Sequence, residues 1–405
     1  MRLSSIKLEN FRAKETLSLD LGRRITLLIG ANGSGKTSVL DAIAIGLGAV
    51  LTHLPDVTGI SFRKSGDIRQ VDNNLQPYVR VALETTTGLK WDRTLRRDKS
   101  KATGKLVPPS HGIRELEHFL DETVIDPANL GKEYPLPLFV YYGVSRALLD
   151  LPLRRKGFPQ KHHRFEALAN ALNADSRFRS AFIWFYNKEN EEHRLQKEHR
   201  SFDVSLKELD VVRSAITQLF PDISAPHIEL NPLRFVVKQR GETMNIAQLS
   251  DGYKTLLGLV IDLSSRMAIA NPHMDDPLAA EVVVMIDEID LHLHPEWQQR
   301  VMGDLLRTFS NAQFIVTTHS PYILEALNNH LKRHKVNELL FDDEKINNLL
   351  PVCPDDLTAY MMEEQGEQSL MDDEIELLDD KLLEQFNVLN QLYDKMRDRE
   401  WEQRS

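Results

Sequence analysis

The chain has 405 residues, 41% hydrophobic and 27% charged, and carries a formal charge of −10. That composition is ordinary for a globular protein, long enough for one large α/β domain with insertions or two modest domains, and too acidic for a chain coated in basic surface for nucleic acid. No run of eighteen apolar residues marks a transmembrane helix, and the single cysteine, Cys353, cannot build a disulfide framework or a cysteine zinc site within one chain.

The N-terminus, MRLSSIKLENFRAK, lacks the basic-then-apolar layout of a signal peptide, so a reducing cytoplasm is the expected location. Charge is unevenly placed: Arg93–Lys105 carries six basic residues and one acidic, and Glu363–Glu376 is strongly acidic.

In chain order, Leu3–Leu8 alternates like a half-buried strand, and Ile25–Ile29 is a short apolar run of the kind buried in a sheet. A glycine-rich loop follows, then a helix from Ser38. Strand-like pieces recur between Phe62 and Arg97, among them Tyr78–Leu83 and Leu89–Asp92. Residues 98–112, with Gly104, Pro108 and Pro109, read as a loop, and Pro137–Tyr142 as a buried strand. From His162 to Leu219 the pattern is helical, with Phe165, Leu168, Ala169 and Leu172 on one face. Asn187–Arg200 is nearly all charged and reads as a solvated helix or loop. Strands resume at Ile228–Leu230 and Arg234–Lys238, a helix spans Gly252–Ala270, and Glu281–Ile286 and Gln313–Thr318 are apolar strands. The end of the chain mixes short strands with a partly amphipathic helix, Leu377–Arg397, which needs its own domain or a partner to cover its leucines.

Four motifs carry chemistry. Gly30-Ala31-Asn32-Gly33-Ser34-Gly35-Lys36-Thr37, followed by Ser38, matches the phosphate loop G-x-x-x-x-G-K-[ST]. Its glycines let backbone N–H groups curl around phosphate oxygens, Lys36 reaches the β/γ-phosphates, Thr37 offers a hydroxyl to Mg²⁺, and the following helix aims its N-terminus at the anion. The pattern arises by chance in roughly one chain of this length per hundred, before the apolar strand and the helix around it are counted. In Val282–Glu288 a strand delivers two carboxylates: Asp287 to hold Mg²⁺ through a water, Glu288 to orient or deprotonate the attacking water. Leu249-Ser250-Asp251-Gly252-Tyr253 precedes an apolar helix that Ser250 can cap. Thr317-Thr318-His319-Ser320-Pro321 follows an apolar strand about thirty residues beyond the acidic pair. His292 and His294 fit the loop after that pair better than a metal site.

In this order the motifs resemble the ABC-type ATPase heads of the SMC and RecF group. Leu249–Tyr253 resembles the ABC signature, with Asp251 and Tyr253 where glycine and glutamine are usual. Ile289–Pro295 and Leu136–Arg146 resemble AAA15/AAA21-type ATPases. The resemblance implies an α/β fold: an ABC/SMC-type head with a mixed central sheet, an antiparallel β lobe and a short helical insertion. The expected organisation is a first lobe at 1–160, the insertion at 161–225, a second lobe at 226–335 and C-terminal strands with an acidic tail at 336–405. It further implies ATP and Mg²⁺ as ligands, hydrolysis with Glu288, His319 and Lys36 as catalytic groups, and Arg12 of Asn10-Phe11-Arg12 near the nucleotide. ATP would be sandwiched in a homodimer, the phosphate loop of one copy facing Ser250 and Gly252 of the other, with His319 sensing the γ-phosphate. The usual glutamine after the mid-domain strand is not evident; Tyr142 or Ser145 stands near its place.

The resemblance extends to ATPases of Septu and retron-associated anti-phage modules, where a head regulates a separate nuclease, often of the HNH kind. The alternative is a RecF-like repair protein using Arg93–Lys105 on DNA. A transport ATPase fits less well, because the spacing from Ser250 to Asp287 is long. Too little chain surrounds Asp342-Asp343 and Asp372-Asp373 for a C-terminal metal nuclease domain.

Overall fold

The computed structural model describes residues 1–147, 163–174, 179–336, 339, 341–363, 366–372 and 374–379. Three strands open the chain, β1 (Leu3–Phe11), β2 (Lys14–Asp20) and β3 (Ile25–Gly30), followed by helix α1 (Lys36–His53) and strands β4 (Tyr78–Thr85) and β5 (Lys90–Arg96). After β6 (Leu138–Tyr142) come helices α2 (Arg179–His199) and α3 (Lys207–Leu219) and an antiparallel set, β7 (Ile223–Leu230), β8 (Leu233–Gln239) and β9 (Glu242–Asn245). Helix α4 (Asp251–Ala270) leads to β10 (Val282–Ile286), α5 (Val301–Thr308), β11 (Ala312–Thr318), α6 (Pro321–Lys335), β12 (Leu357–Glu363) and β13 (Gly366–Ser369).

Two sheets position the site. The antiparallel sheet, in the order β2-β1-β4-β5, alternates as its sequence does: Ile6 and Leu8 face the core, with Lys7 exposed between them. The second sheet runs β13-β12-β3-β11-β10-β6, with β12, β3, β11, β10 and β6 parallel and β13 an antiparallel edge. Strands β3, β6, β10 and β11 are buried at every residue, which is why they read as continuous apolar runs. Register pairs Ile29 with Thr318, and Ile286 with Val316 and Tyr142, so the C-terminal ends of four strands finish side by side. The loops leaving that edge carry the phosphate loop, the acidic pair and His319.

Several expectations are revised. Residues 98–112 are not all loop: Lys101–Leu106 is a short helix, begun by Ser100, whose hydroxyl accepts from the Thr103 backbone N–H. Residues 164–168 form a 3₁₀ turn rather than an α-helix, with Phe165 and Leu168 buried but Ala169 exposed. Leu377–Leu378 pair as a strand with Met371–Asp372; the expected helix beyond them, with Leu382, Leu383, Phe386 and Leu389, lies outside the described residues. In the basic run, Arg93 donates to the carbonyls of Ile45 and Ile60, and Arg97 to the Leu75 carbonyl and to Asp98. Those two arginines serve the fold, while Arg96, Lys99, Lys101 and Lys105 remain exposed.

The charged stretch 187–200 is helical, but two of its carboxylates face inward. Glu189 accepts from the Ile228 N–H at 3.0 Å. Glu192, 3% exposed, accepts from both terminal nitrogens of Arg213 at 2.9 and 2.8 Å and from the Leu206 N–H at 2.9 Å, tying α2 to α3. Burial alone would raise the Glu192 carboxyl, but the bonds from Arg213 and Leu206 outweigh it and hold its pKa below the ordinary 4.5. A depressed folded-state pKa means that the pair stabilises the fold above the ordinary carboxylate range and is lost as pH falls through that depressed value. Glu192→Ala is expected to lower unfolding free energy by about 2–4 kcal/mol, since it leaves the Leu206 N–H without its acceptor and Arg213 with Asp210 alone. Urea unfolding at pH 7 checks this, and the gap to wild type should narrow in acid.

Candidate active site

The phosphate loop joins β3 to α1. Gly30, Gly33 and Gly35 have φ of 149°, 83° and 102°, a region side chains rarely enter. At Gly30 a Cβ would also lie 2.3 Å from the Met362 carbonyl oxygen, so the end of β12 packs directly against the loop. Ala31, Asn32 and Gly33 are exposed, Ser34 is buried, and Gly35 caps the N-terminus of the 18-residue α1, where unpaired N–H groups and the helix dipole favour an anion. Lys36 is 5% exposed, and its Nζ donates to the carbonyls of Gly30 at 2.8 Å and Ala31 at 2.9 Å. Burial lowers its pKa below the ordinary value, opposed by the carboxylates of Asp287, Glu288 and Asp290.

Asp287 is 3% exposed at the end of β10. Its Oδ2 accepts from the Thr37 hydroxyl at 2.9 Å, its Oδ1 from the Thr317 hydroxyl at 2.6 Å, and its N–H donates to the Tyr142 carbonyl at 2.9 Å. The Thr317 hydroxyl accepts in turn from the Glu288 N–H at 2.7 Å. One threonine thus fixes both members of the acidic pair, donating to one and accepting from the other. Glu288 has φ 49°, a conformation costing about 1–3 kcal/mol in a residue with a side chain, which turns the chain sharply after the strand. Beyond it, Ile289 N–H donates to the Thr317 carbonyl, and Asp290 accepts from the Thr318 hydroxyl and the His319 N–H. His319 is half-buried there, and Ser320 caps α6 through the Tyr322 N–H while donating to Gln298. Thr37 and Asp287 therefore place a hydroxyl and a carboxylate side by side, the all-oxygen donor chemistry of a hard divalent cation.

Arg12, in the turn between β1 and β2, reaches the first turn of α1. Its Nη1 lies 2.7 Å from Asp41 and 3.4 Å from the Ser38 hydroxyl, and its Nε lies 3.0 Å from Asp67. Neither carboxylate stands out in the sequence; Asp41, three residues after Ser38 on α1, is the legible one in hindsight. The usual glutamine position is now resolved differently. The Tyr142 hydroxyl donates to Asp262 at 2.8 Å, and Ser145 donates to the Ala174 carbonyl. Tyr141, one residue earlier and therefore on the other face, donates to Asp41 at 3.0 Å.

Residues Leu249–Tyr253 make their contacts with other groups. Ser250 is exposed and caps the 20-residue α4, while Asp251 pairs with Lys254 at 2.7 Å. Gly252 is buried where a Cβ would sit 2.5 Å from the His292 carbonyl oxygen, so within this chain it seats the loop that follows the acidic pair. Tyr253 packs on Phe220 and Trp297, ring centroids 5.7 and 5.0 Å away, and its hydroxyl faces Asp222. These contacts of Ser250–Tyr253 are with none of the phosphate-loop residues.

With the loop, the acidic pair and the signature in place, comparison with known proteins is decisive. The "AAA domain" family model matches residues 5–224, and the "AAA ATPase domain" model matches residues 162–324. The chain belongs to the AAA-domain ATPase family. The "Retron Ec83 probable ATPase" of Escherichia coli is 27% identical over 388 residues, covering 81% of this chain and 70% of that protein. The "Septu protein PtuA" of Bacillus mycoides (strain KBAB4) is 26% identical over 322 residues, covering 79% of this chain and 37% of that protein. Among solved structures, an SMC head bound to the C-terminal winged-helix domain of ScpA aligns with a TM-score of 0.52 at 16% identity, over 93% of this chain and 99% of that one. The fold of this ATPase is therefore that of an SMC-type head. Among the described residues no helix is long and apolar enough to cross a membrane.

Thr317 is the group that sequence reasoning left without a role. Thr317→Val removes the donor to Asp287 and the acceptor for the Glu288 N–H, and should lower kcat for ATP at least roughly tenfold, with Thr317→Ser restoring most of it. Steady-state phosphate release measures both.

Proposed function

We propose that this ATPase works as a nucleotide-gated head: two copies close on ATP with Mg²⁺, and closure controls a partner effector, a nuclease, in anti-phage defence. The observation that carries the first half is the placement of Ser250. It is exposed at the N-terminus of a long helix, where its side chain accepts from the Tyr253 N–H and, among the described residues, makes no hydrogen bond to the phosphate loop of its own chain. A helix N-terminus so presented suits the phosphate of a nucleotide held by a second copy. The second half rests on the likeness to the retron and Septu proteins, and on the resemblance of the Leu136–Arg146 and Ile289–Pro295 segments to that group.

In this reading the backbone of Gly30–Gly35 and the α1 N-terminus cradle the β- and γ-phosphates, and Lys36 exchanges its loop carbonyls for phosphate oxygens. Thr37 and Asp287 are the residues that would hold the cation, which would supply positive charge to offset that of the phosphoryl group. Glu288 orients the attacking water and takes its proton. His319, its backbone anchored to Asp290, contacts the γ-phosphate. Ser250 and Gly252 of the partner subunit close the other side. The DNA-binding alternative keeps four exposed cations, Arg96, Lys99, Lys101 and Lys105, as its basis.

Glu288→Gln should bind ATP without turnover and accumulate the closed state. Light scattering coupled to size exclusion should show a monomer without nucleotide and a dimer with saturating Mg²⁺–ATP, abolished by adding Ser250→Arg. A Glu288→Gln protein that stays monomeric with ATP, or whose dimer ignores both ATP and Ser250→Arg, contradicts the proposal.

A further inference from the structure

The turn that carries Arg12 is held by a chain of hydrogen bonds ending on a strand of the other sheet. Tyr141, 2% exposed on β6, donates to Asp41 Oδ1 at 3.0 Å. The other oxygen of Asp41 holds Arg12 Nη1 at 2.7 Å, the same nitrogen that lies 3.4 Å from Ser38. On the far side Arg12 Nε meets Asp67 Oδ1 at 3.0 Å, while Asp67 Oδ2 accepts from the Arg63 N–H at 2.7 Å and its carbonyl from the Arg12 N–H at 2.9 Å. Arg12 itself has φ 53°, so its backbone is held in a conformation that the surroundings must maintain.

We infer that Tyr141 is a positioning residue for ATP hydrolysis, acting through Asp41 to hold the Arg12 guanidinium at the first turn of the phosphate-loop helix. Three observations carry this. First, the chain of contacts is continuous, from the β6 phenol through the α1 carboxylate to the arginine beside Ser38, the residue after the cation-site Thr37. Second, packing alone does not fix these groups: Arg12, Asp41 and Tyr141 border a cavity of about 90 Å³, shared with Arg63 and Asn173, in which a side chain that loses its partner has room to turn. Asp41 is one-quarter exposed and Arg12 nearly one-third, so hydrogen bonds rather than close packing set their direction. Third, β6 is also the strand whose Tyr142 carbonyl receives the Asp287 N–H. One strand therefore sets both the acidic pair, through its backbone, and the arginine, through the neighbouring side chain. Burial, with the Asp41 and Asp287 carboxylates close by, pushes the Tyr141 phenol well above its ordinary pKa, so it remains a donor.

The inference rests on the ATPase activity of this site. It is tested by a double-mutant cycle on the full chain, with kcat and KM for Mg²⁺–ATP and the Kd of a fluorescent ATP analogue read for Tyr141→Phe, Arg12→Ala and the pair. Tyr141→Phe should lower kcat/KM roughly five- to tenfold, the scale of one ordinary hydrogen bond. In the Arg12→Ala background the same change should cost less than about twofold, because the group it positions is gone. A general loss of stability would penalise both backgrounds alike. The inference is overturned if Tyr141→Phe matches wild type, or if its effect is the same with and without Arg12. Lys36→Ala is the control: a wild type with no Lys36-dependent turnover would refute the hydrolytic reading, while the cycle read on analogue binding still decides the coupling of Tyr141 to Arg12.

Discussion

The site turns on one buried carboxylate. Asp287 accepts hydroxyl bonds from Thr37 on one side and Thr317 on the other, and its N–H is spent on the Tyr142 carbonyl. Those partners come from the start of α1, the end of β11 and the end of β6, so a single residue gathers three elements at the C-terminal edge of a parallel sheet. A buried carboxylate without such donors is costly, and this requirement fixes where each loop leaves the sheet. The Thr317 hydroxyl passes the constraint on to Glu288, and Thr318 to Asp290 and His319. In the proposed mechanism these groups are aimed before a triphosphate arrives, which is the condition for electrostatic preorganisation.

The signature is organised by a different kind of contact. Phe220 at the end of α3, Tyr253 in the first turn of α4 and Trp297 after the acidic loop form an aromatic cluster, with the Arg300 guanidinium over the Trp297 ring and its Nη2 donating to the Leu219 carbonyl. Gly252 lies against the His292 carbonyl in the same place. The helical insertion, the signature and the loop beyond the acidic pair therefore share one packed junction.

Four of the parallel strands, β3, β6, β10 and β11, are legible in the sequence because burial on both faces makes them mostly apolar runs, interrupted only by Thr26, Gln313 and the Thr317–Thr318 end of β11, and the phosphate loop is legible because glycine spacing there is dictated by φ. The same double burial hid the phase of β6: Tyr141 and Tyr142 look alike in an apolar run, and only the fold shows that one meets Asp41 and the other Asp262. The charged stretch 187–200 reads from its sequence as a solvated helix or loop and is helical through His199, but Glu192 gains its partner 21 residues away across a helical hairpin, beyond the i+3 and i+4 reach of a pattern. The carboxylates on Arg12 are hidden for the same reason, Asp67 lying 55 residues on. The helix at Lys101–Leu106 was masked by Gly104 and the following prolines, although its Ser100 cap was there to be read.

In the proposed mechanism the nucleotide site of each chain is incomplete until a second chain supplies Ser250 and Gly252. Complementation measures this most directly. Lys36→Ala and Ser250→Arg proteins, each without ATPase activity alone, are mixed at equal concentration and phosphate release is followed. The mixed dimer contains one site with an intact phosphate loop facing an intact signature, so activity should return, up to about one-quarter of the wild-type rate for random pairing of copies with independent sites. Mixtures that stay as inactive as their components, or a Ser250→Arg protein that hydrolyses ATP at the wild-type rate on its own, would contradict the shared site.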